Sequence, residues 1–260
     1  MLNNSFNILT KKFLEIKEMG WISTYRNGYT GIGYTFEKLL GKDEDALCAP
    51  DFYGIEIKTH RSTSNSYITL FNYNPVGECS YELKRIFSKY SYLHTKNKKI
   101  RSLNANIYCN YIKDVGVNYK FSLDVDENEK KIYLLVFDRL GNLIERKSYW
   151  TFDTIKYKLY KKLRYLALIE ADSKFINGRE FLYYNNMNLY ILKSFNAFIR
   201  LIKSSRIRVS FLISGSLDYN ECINSHGTSF SIKKDNLELL FEPVVFDIGT
   251  KGNNKKTYIM

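Results

Sequence analysis

The sequence predicts a mixed α/β (α+β) fold over residues 1–260, as one large domain or two lobes sharing a cleft. Three observations lead there. A length of 260 residues fits one large domain or two lobes sharing a cleft. Stretches with helical period alternate along the chain with stretches of strand period, and hairpin signals crowd the middle. The hydrophobic fraction of 45% supplies a core, and neither an internal repeat nor a low-complexity linker separates one part of the chain from another.

Taken in order, residues 5–19 place Phe6, Leu9, Phe13 and Ile16 on one helical face, and Gly20 ends the helix. Arg26 to Gly33 is glycine-dense and runs into a short helix, Tyr34 to Leu40, closed by Gly41. Such a loop can cradle a phosphate or simply turn; its spacing fits neither a Walker loop nor a dinucleotide fingerprint. The stretch Pro50 to Thr59 reads as a strand, and Ser66 to Phe71 as its antiparallel successor. Leu83, Ile86, Phe87 and Tyr90 mark a helix over Tyr81–Tyr92, followed by the basic loop Lys96 to Arg101. The middle predicts hairpins, Asn104–Lys113 with Gly116–Val125 and Lys130–Asp138 with Leu143–Thr151. A basic helix opens at Asp153 and runs through Arg164. Tyr165–Phe175 and Glu180–Tyr190 flank Asn177-Gly178, the strongest hairpin signal in the chain. A helix carrying Leu192, Phe195, Ile199 and Ile202 precedes the strand Arg206–Ser214. After a polar loop come His226 to Ile232, a short capped helix over Asn236–Phe241, and a basic tail from Gly249.

The charge narrows the partner. Lys and Arg number 39 against 27 Asp and Glu, a balance of +12, which favours polyanions, nucleic acid or an anionic membrane surface. No apolar run is long enough to span a bilayer, and the N-terminus lacks a basic region followed by an apolar one, so a membrane partner and a signal peptide are not expected. Cys48, Cys79, Cys109 and Cys222 are scattered and form no zinc spacing; free thiols in a reducing cytoplasm account for them.

The stretch Pro50-Asp51-Phe52-Tyr53-Gly54-Ile55-Glu56-Ile57-Lys58-Thr59 carries the chemistry. Ile55 and Ile57 alternate with Glu56 and Lys58, so one face is apolar and the other holds an acid beside a base. With Asp51, two carboxylates and one ammonium converge, an arrangement that can hold a hard divalent cation and position a water, as in a nuclease. At roughly 5% for each fixed residue, the pattern arises by chance on the order of 10⁻⁵ per position. The alternative is a surface strand with a weak same-face ion pair. A rival cluster, Glu170, Asp172 and Lys174, lacks a preceding acid at suitable spacing and reads as a solvated strand face, or as lining of the cleft near the metal.

Asp51-x4-Glu56-x-Lys58 resembles the PD-(D/E)xK nucleases. Together with TGIGYTFE from Thr30 to Glu37, SYITLF from Ser66 to Phe71 and His226-Gly227-Thr228-x-Phe230, it is similar to the MvaI/BcnI type II restriction endonucleases, relatives of the nickase MutH. The resemblance is dense over residues 28–72, thins through the middle and returns at the HGTxF motif. It implies a MutH-like fold: a mixed central sheet flanked by helices, two lobes around a DNA cleft, catalytic motifs in 28–72 and DNA-recognition elements in 200–235. It implies Mg²⁺-dependent hydrolysis of double-stranded DNA at a short, nearly palindromic site, with Mn²⁺ as a substitute, by a monomer that nicks each strand in turn. Glu37, Asp51, Glu56 and Lys58 would be catalytic, and Asp51, Glu56 and Ile57 would form the metal site. Lys58 would orient the attacking water and offset phosphate charge.

His226 and Thr228 of HGTxF, with Arg206 and Arg208, would read or contact DNA, and Lys96, Lys98 and Lys99 would meet phosphates. Relatives carry an arginine after HGTxF where this chain has Ser231, so the target is altered or another arginine makes the contact. A cognate DNA methyltransferase would be a genetic partner, and the bacterial cytoplasm the compartment. Two alternatives stand beside this reading: a methylation-responsive nickase, and a basic DNA-binding module without catalysis.

Overall fold

A computed structural model describes residues 2–41, 50–217 and 224–244. Its elements begin with α1 (Leu2–Glu18), β1 (Ile22–Ser23), α2 (Gly31–Leu39), β2 (Glu56–Arg61), β3 (Tyr67–Asn72), α3 (Glu82–Tyr90) and β4 (Tyr92–Leu93). The middle holds β5 (Ile100–Ile107), β6 (Lys113–Val115), β7 (Tyr119–Asp126), β8 (Lys131–Asp138), β9 (Leu143–Glu145) and β10 (Tyr149–Thr151). There follow α4 (Phe152–Lys162), β11 (Tyr165–Ile176), β12 (Arg179–Leu192), α5 (Phe195–Lys203), β13 (Ile207–Ser216) and β14 (Asn224–Lys233). A 3₁₀ turn (Lys234–Asn236), α6 (Leu237–Leu240) and β15 (Phe241–Pro243) end the described chain. The mixed α+β class is as expected. Among the described residues no helix is long and apolar enough to cross a membrane.

The chain forms two compact units, each discontinuous in sequence: Met1–Ser66, Tyr160–Lys193 and Phe241–Met260 make the first, and Tyr67–Leu159 with Ser194–Leu240 the second. The first is built on a five-stranded sheet in the order β1-β12-β11-β2, with β15 also paired to β12. β2 runs parallel to β11 and the other pairings are antiparallel, which makes the sheet mixed. Asn177 (φ 50°) and Gly178 (φ 75°) form the two-residue turn between β11 and β12 that their sequence predicts. One face of this sheet is the core. Phe6, Leu9, Phe13 and Ile16 of α1 and Ile32 and Phe36 of α2 pack on Ile55, Ile57, Ala167 and Ile169. The alternation of β2 leaves Glu56 and Lys58 on the other face.

The second unit has two antiparallel sheets, β10-β8-β7-β6 with β9 on β8, and β3-β14-β13-β5-β4. Its core is aromatic: Phe71 stacks on Phe230 with ring centroids 4.9 Å apart, and Trp150 meets Phe230 edge-on at 5.6 Å.

Two expected pairings are corrected. β3 does not pair with β2; it pairs with β14, because Ile68 and Leu70 bury in the second unit and the chain turns away after Arg61, where Ser64 N–H donates to the Arg61 carbonyl at 2.9 Å. The hairpin expected from Asn104 to Val125 is confined to β6 and β7 around Gly116, while β5 pairs with β13 and β4. A β-branched run specifies a strand, but its partner is chosen by which buried face it completes.

Candidate active site

The acid that opens the motif does not lie in the strand. Tyr53 and Gly54 both have left-handed φ, 45° and 86°. Phe52 and Ile55 exchange both backbone hydrogen bonds, at 2.9 and 2.8 Å. This is a two-residue turn of the primed kind, which glycine at the second central position favours. It folds Asp51 back beside the start of β2, where Asp51 Oδ2 accepts the Ile57 N–H at 3.0 Å. The strand therefore begins at Glu56, and Pro50 to Ile55 forms the turn that was expected to be strand. The four residues between Asp51 and Glu56 are the length of that turn.

Glu56 is fully buried. Lys58 Nζ lies 2.6 Å from Glu56 Oε1, and Lys162 Nζ lies 3.4 Å from the same oxygen. Neither carboxylate oxygen has solvent access or a well-directed hydrogen bond among the described residues, so proximity of charge holds the group. Burial pushes the Glu56 carboxyl above its ordinary range; Lys58 pulls it down, and Asp51 pushes it up further. Sequence reading missed Lys162. It ends the basic helix α4, but no spacing rule ties it to a strand so far back in the chain; only the packing of that helix end does.

The donor set suits a hard cation. Glu56 Oε2 is buried with no hydrogen-bond partner among the described residues, and Asp51, held on the Ile57 N–H, is near enough to push the Glu56 carboxyl up. In an extended strand a residue's N–H and C=O point to the same side, so the Ile57 carbonyl shares the edge at which its N–H meets Asp51. Among the described residues no group of three or more His, Cys, Asp or Glu is placed to hold a metal. Two carboxylates and a peptide oxygen match a cation of the Mg²⁺ class, which keeps several waters and shares substrate phosphates. Glu37 comes from a neighbouring element. It is half-buried in the last turn of α2, one residue beyond buried Phe36.

The glycine loop turns out to be a helix entry. α2 begins at Gly31, earlier than the expected Tyr34, and Gly31 N–H and Tyr34 N–H donate to the Gly28 and Thr30 carbonyls. A Cβ at Gly31 would sit 2.2 Å from the Arg26 carbonyl oxygen, so close approach explains this glycine. Arg61 pins the loop, pairing with Glu180 through Nε at 2.8 Å and Nη2 at 2.9 Å, with the Gly28 and Tyr29 carbonyls as further acceptors. The rival cluster is settled locally: Asn186 donates to Glu170 and Asn185 to Asp172, and Lys174 lies over the Trp21 ring.

The residues expected to meet DNA divide. His226 falls within β14, but its side chain lies outside the described residues. Thr228 is fully buried. Its N–H donates to Asn74 Oδ1 at 3.0 Å and its hydroxyl to the Tyr73 carbonyl. Gly227 has φ +68°, and a Cβ there would lie 2.7 Å from Asn74 Oδ1. Phe230 is buried in the aromatic core. Glycine, threonine and phenylalanine of HGTxF thus serve to seat β14. Arg206 is exposed just before β13, donating to Asn236 at 2.8 Å. Arg208 is half-buried on β13, its guanidinium 3.7 Å from the Tyr67 ring centroid and its Nε donating to Ser231 at 3.1 Å. Lys96, Lys98 and Lys99 are exposed in a loop whose backbone is tied down by His94, which accepts the Lys96 and Asn97 N–H groups.

The model of the MvaI/BcnI restriction endonuclease family matches residues 10–241. The solved complex of restriction endonuclease MvaI with its cognate DNA is 33% identical, covers 92% of this chain and 96% of its own, and superposes with a TM-score of 0.83. MvaI in the absence of DNA is 32% identical over the same shares, with a TM-score of 0.59. A search of curated proteins returned no match. A family match over nearly the whole described chain, joined to a solved relative a third identical, means that this chain belongs to the MvaI/BcnI restriction endonuclease family.

Proposed function

We propose that this site-specific deoxyribonuclease, a type II restriction endonuclease, hydrolyses phosphodiester bonds of double-stranded DNA with Mg²⁺ at the Asp51–Glu56–Lys58 site, Mn²⁺ being able to substitute. The observation that carries the reading is the convergence of these three side chains at the edge of β2, with a buried Glu56 oxygen that has no hydrogen-bond donor among the described residues. Asp51, Glu56 and the Ile57 carbonyl hold the cation. When bound, the cation activates a water and stabilises charge on the phosphate. Lys58 places its ammonium beside Glu56, where it orients the attacking water and offsets charge building on the phosphate oxygens. Glu37, on the neighbouring helix, matches the family's extra acid and supports Lys58 or a second metal ion.

Sequence choice belongs to the second unit. The Arg208 guanidinium is held flat by Tyr67 and Ser231, leaving its remaining donors for a guanine edge. This arrangement supports Arg208 as the arginine that stands in for the one Ser231 replaces. His226 and Arg206 contribute further base-edge or backbone contacts, and Lys96, Lys98 and Lys99 meet phosphates. The enzyme acts as a monomer that nicks the strands of a short, nearly palindromic site in turn. It works in the bacterial cytoplasm beside a methyltransferase that protects the same site. The MutH-like core is the fold relation that fits the mixed sheet of the first unit.

A digest tests the reading. Purified protein with Mg²⁺ is expected to cut plasmid DNA into discrete fragments with fixed ends, and Lys58→Ala to lower the rate by at least about 10²-fold while DNA binding in Ca²⁺ persists. Nicking without linear product would favour a nickase. Absence of cleavage on varied DNA, or Lys58→Ala cutting at the wild-type rate, would remove the assignment.

A further inference from the structure

Glu56 Oε1 faces two ammonium groups from different elements. Lys58, at 2.6 Å, belongs to the same strand. Lys162, at 3.4 Å, is the last residue of α4. The backbone around Lys162 is anchored, since Leu163 is fully buried and the Arg164 carbonyl accepts the Leu192 N–H at 3.1 Å. The side chain of Lys162 is nevertheless 31% exposed, against 1% for Glu56. It therefore bridges a buried carboxylate and solvent, with a flexible stem that can swing its charge outward.

A divalent cation on Glu56 must share that carboxylate with Lys162 or displace it, and a positive charge a few ångströms away opposes its binding. A DNA phosphate near the site offers the same ammonium a better-hydrated partner and removes this opposition. We propose that Lys162 is a positioning residue that competes with the divalent cation for Glu56 and is drawn off by DNA phosphate, so that cation loading and DNA binding strengthen each other. The inference rests on Glu56 being a cation ligand. By linkage the effect is reciprocal: whatever factor DNA adds to cation affinity, the cation adds to DNA affinity.

The test is calorimetric titration of Ca²⁺ into the full chain, alone and with a duplex carrying the site mapped by the digest. Three variants are compared with wild type: Lys162→Met, Lys162→Arg and Glu56→Gln. Without DNA, Lys162→Met is expected to bind Ca²⁺ about 5- to 10-fold more tightly than wild type, and the enhancement by DNA to shrink by a similar factor. Lys162→Arg, which keeps the charge, is expected to restore wild-type Ca²⁺ affinity. Equal or weaker Ca²⁺ binding by Lys162→Met, with Glu56→Gln losing it, would overturn the role of Lys162 and leave the cation site standing. Glu56→Gln binding Ca²⁺ as wild type does would remove the cation site and the competition with it.

Discussion

Burying a carboxylate costs free energy unless hydrogen bonds replace the lost water, and among the described residues Glu56 has ammonium neighbours but no well-directed hydrogen bond. Burial holds its carboxyl above the ordinary range, so ionising it costs more in the folded chain than in the unfolded one. The sign follows: a raised carboxyl contributes stability below its unfolded pKa, and that contribution is lost as the pH rises through the folded value. Through this group the folded chain is therefore less stable at neutral pH than below the unfolded pKa, which the proposed role of Glu56 as a charged ligand would offset. Glu56→Gln, measured by scanning calorimetry in EDTA, is expected to abolish cleavage and to raise Tm by about 2–4 °C, the shift for roughly 1 kcal/mol in a chain of this size. A drop of several degrees would show that attraction to Lys58 and Lys162 outweighs the cost of burial.

A second buried cluster joins elements rather than serving a site. Glu82 opens α3 and Glu145 closes β9, and both are nearly without solvent access. Arg85 bridges them, with Nη2 2.6 Å from an oxygen of each; Lys89 adds a contact at 2.7 Å and Tyr90 OH donates to Glu145 at 2.5 Å. Burial alone would raise the Glu145 carboxyl, but hydrogen bonds from Arg85, Lys89 and Tyr90 outweigh it and hold it at about 2. Glu82 is likewise pushed up by burial and brought below its ordinary range by Arg85 and Ser148. A depressed carboxyl stabilises the fold above its unfolded pKa and stops doing so as the pH falls through the folded value. The second unit is thus expected to lose stability progressively from about pH 4.5 toward pH 2. Arg85→Met is expected to cost about 3–5 kcal/mol, since it strands two buried carboxylates, and circular dichroism against urea at neutral pH measures it. A cost below about 1 kcal/mol would mean that water or Lys89 satisfies the acids instead.

At the scale of the whole molecule, the balance of +12 makes binding to DNA a salt-dependent event. Each phosphate contact that is lost lowers the slope of log K against log salt by about 0.9. Replacing Lys96, Lys98 and Lys99 together by Gln is expected to lower the slope by about 2–3 and to weaken binding without changing which sequence is cut. Fluorescence anisotropy in Ca²⁺ over a salt series reads the slope. An unchanged slope would place the phosphate contacts elsewhere. The exchange of chain between the two units explains why no linker was seen: the first unit ends at Ser66 and resumes at Tyr160, within a short connector and inside a helix.

What the sequence determined by itself is local. The face of α1 bearing Phe6, Leu9, Phe13 and Ile16, the Asn177-Gly178 turn, and the alternation of Ile55 and Ile57 with Glu56 and Lys58 all rest on contacts within a few residues. The candidate site was legible for the same reason, because Asp51, Glu56 and Lys58 are brought together by one tight turn and one strand. Tertiary structure decided the rest. It assigned β3 to β14 rather than to β2, turned Thr228 inward, set Arg208 between Tyr67 and Ser231, and carried Lys162 to Glu56. These outcomes depend on which distant segments bury against one another, and no periodicity in the chain records that choice.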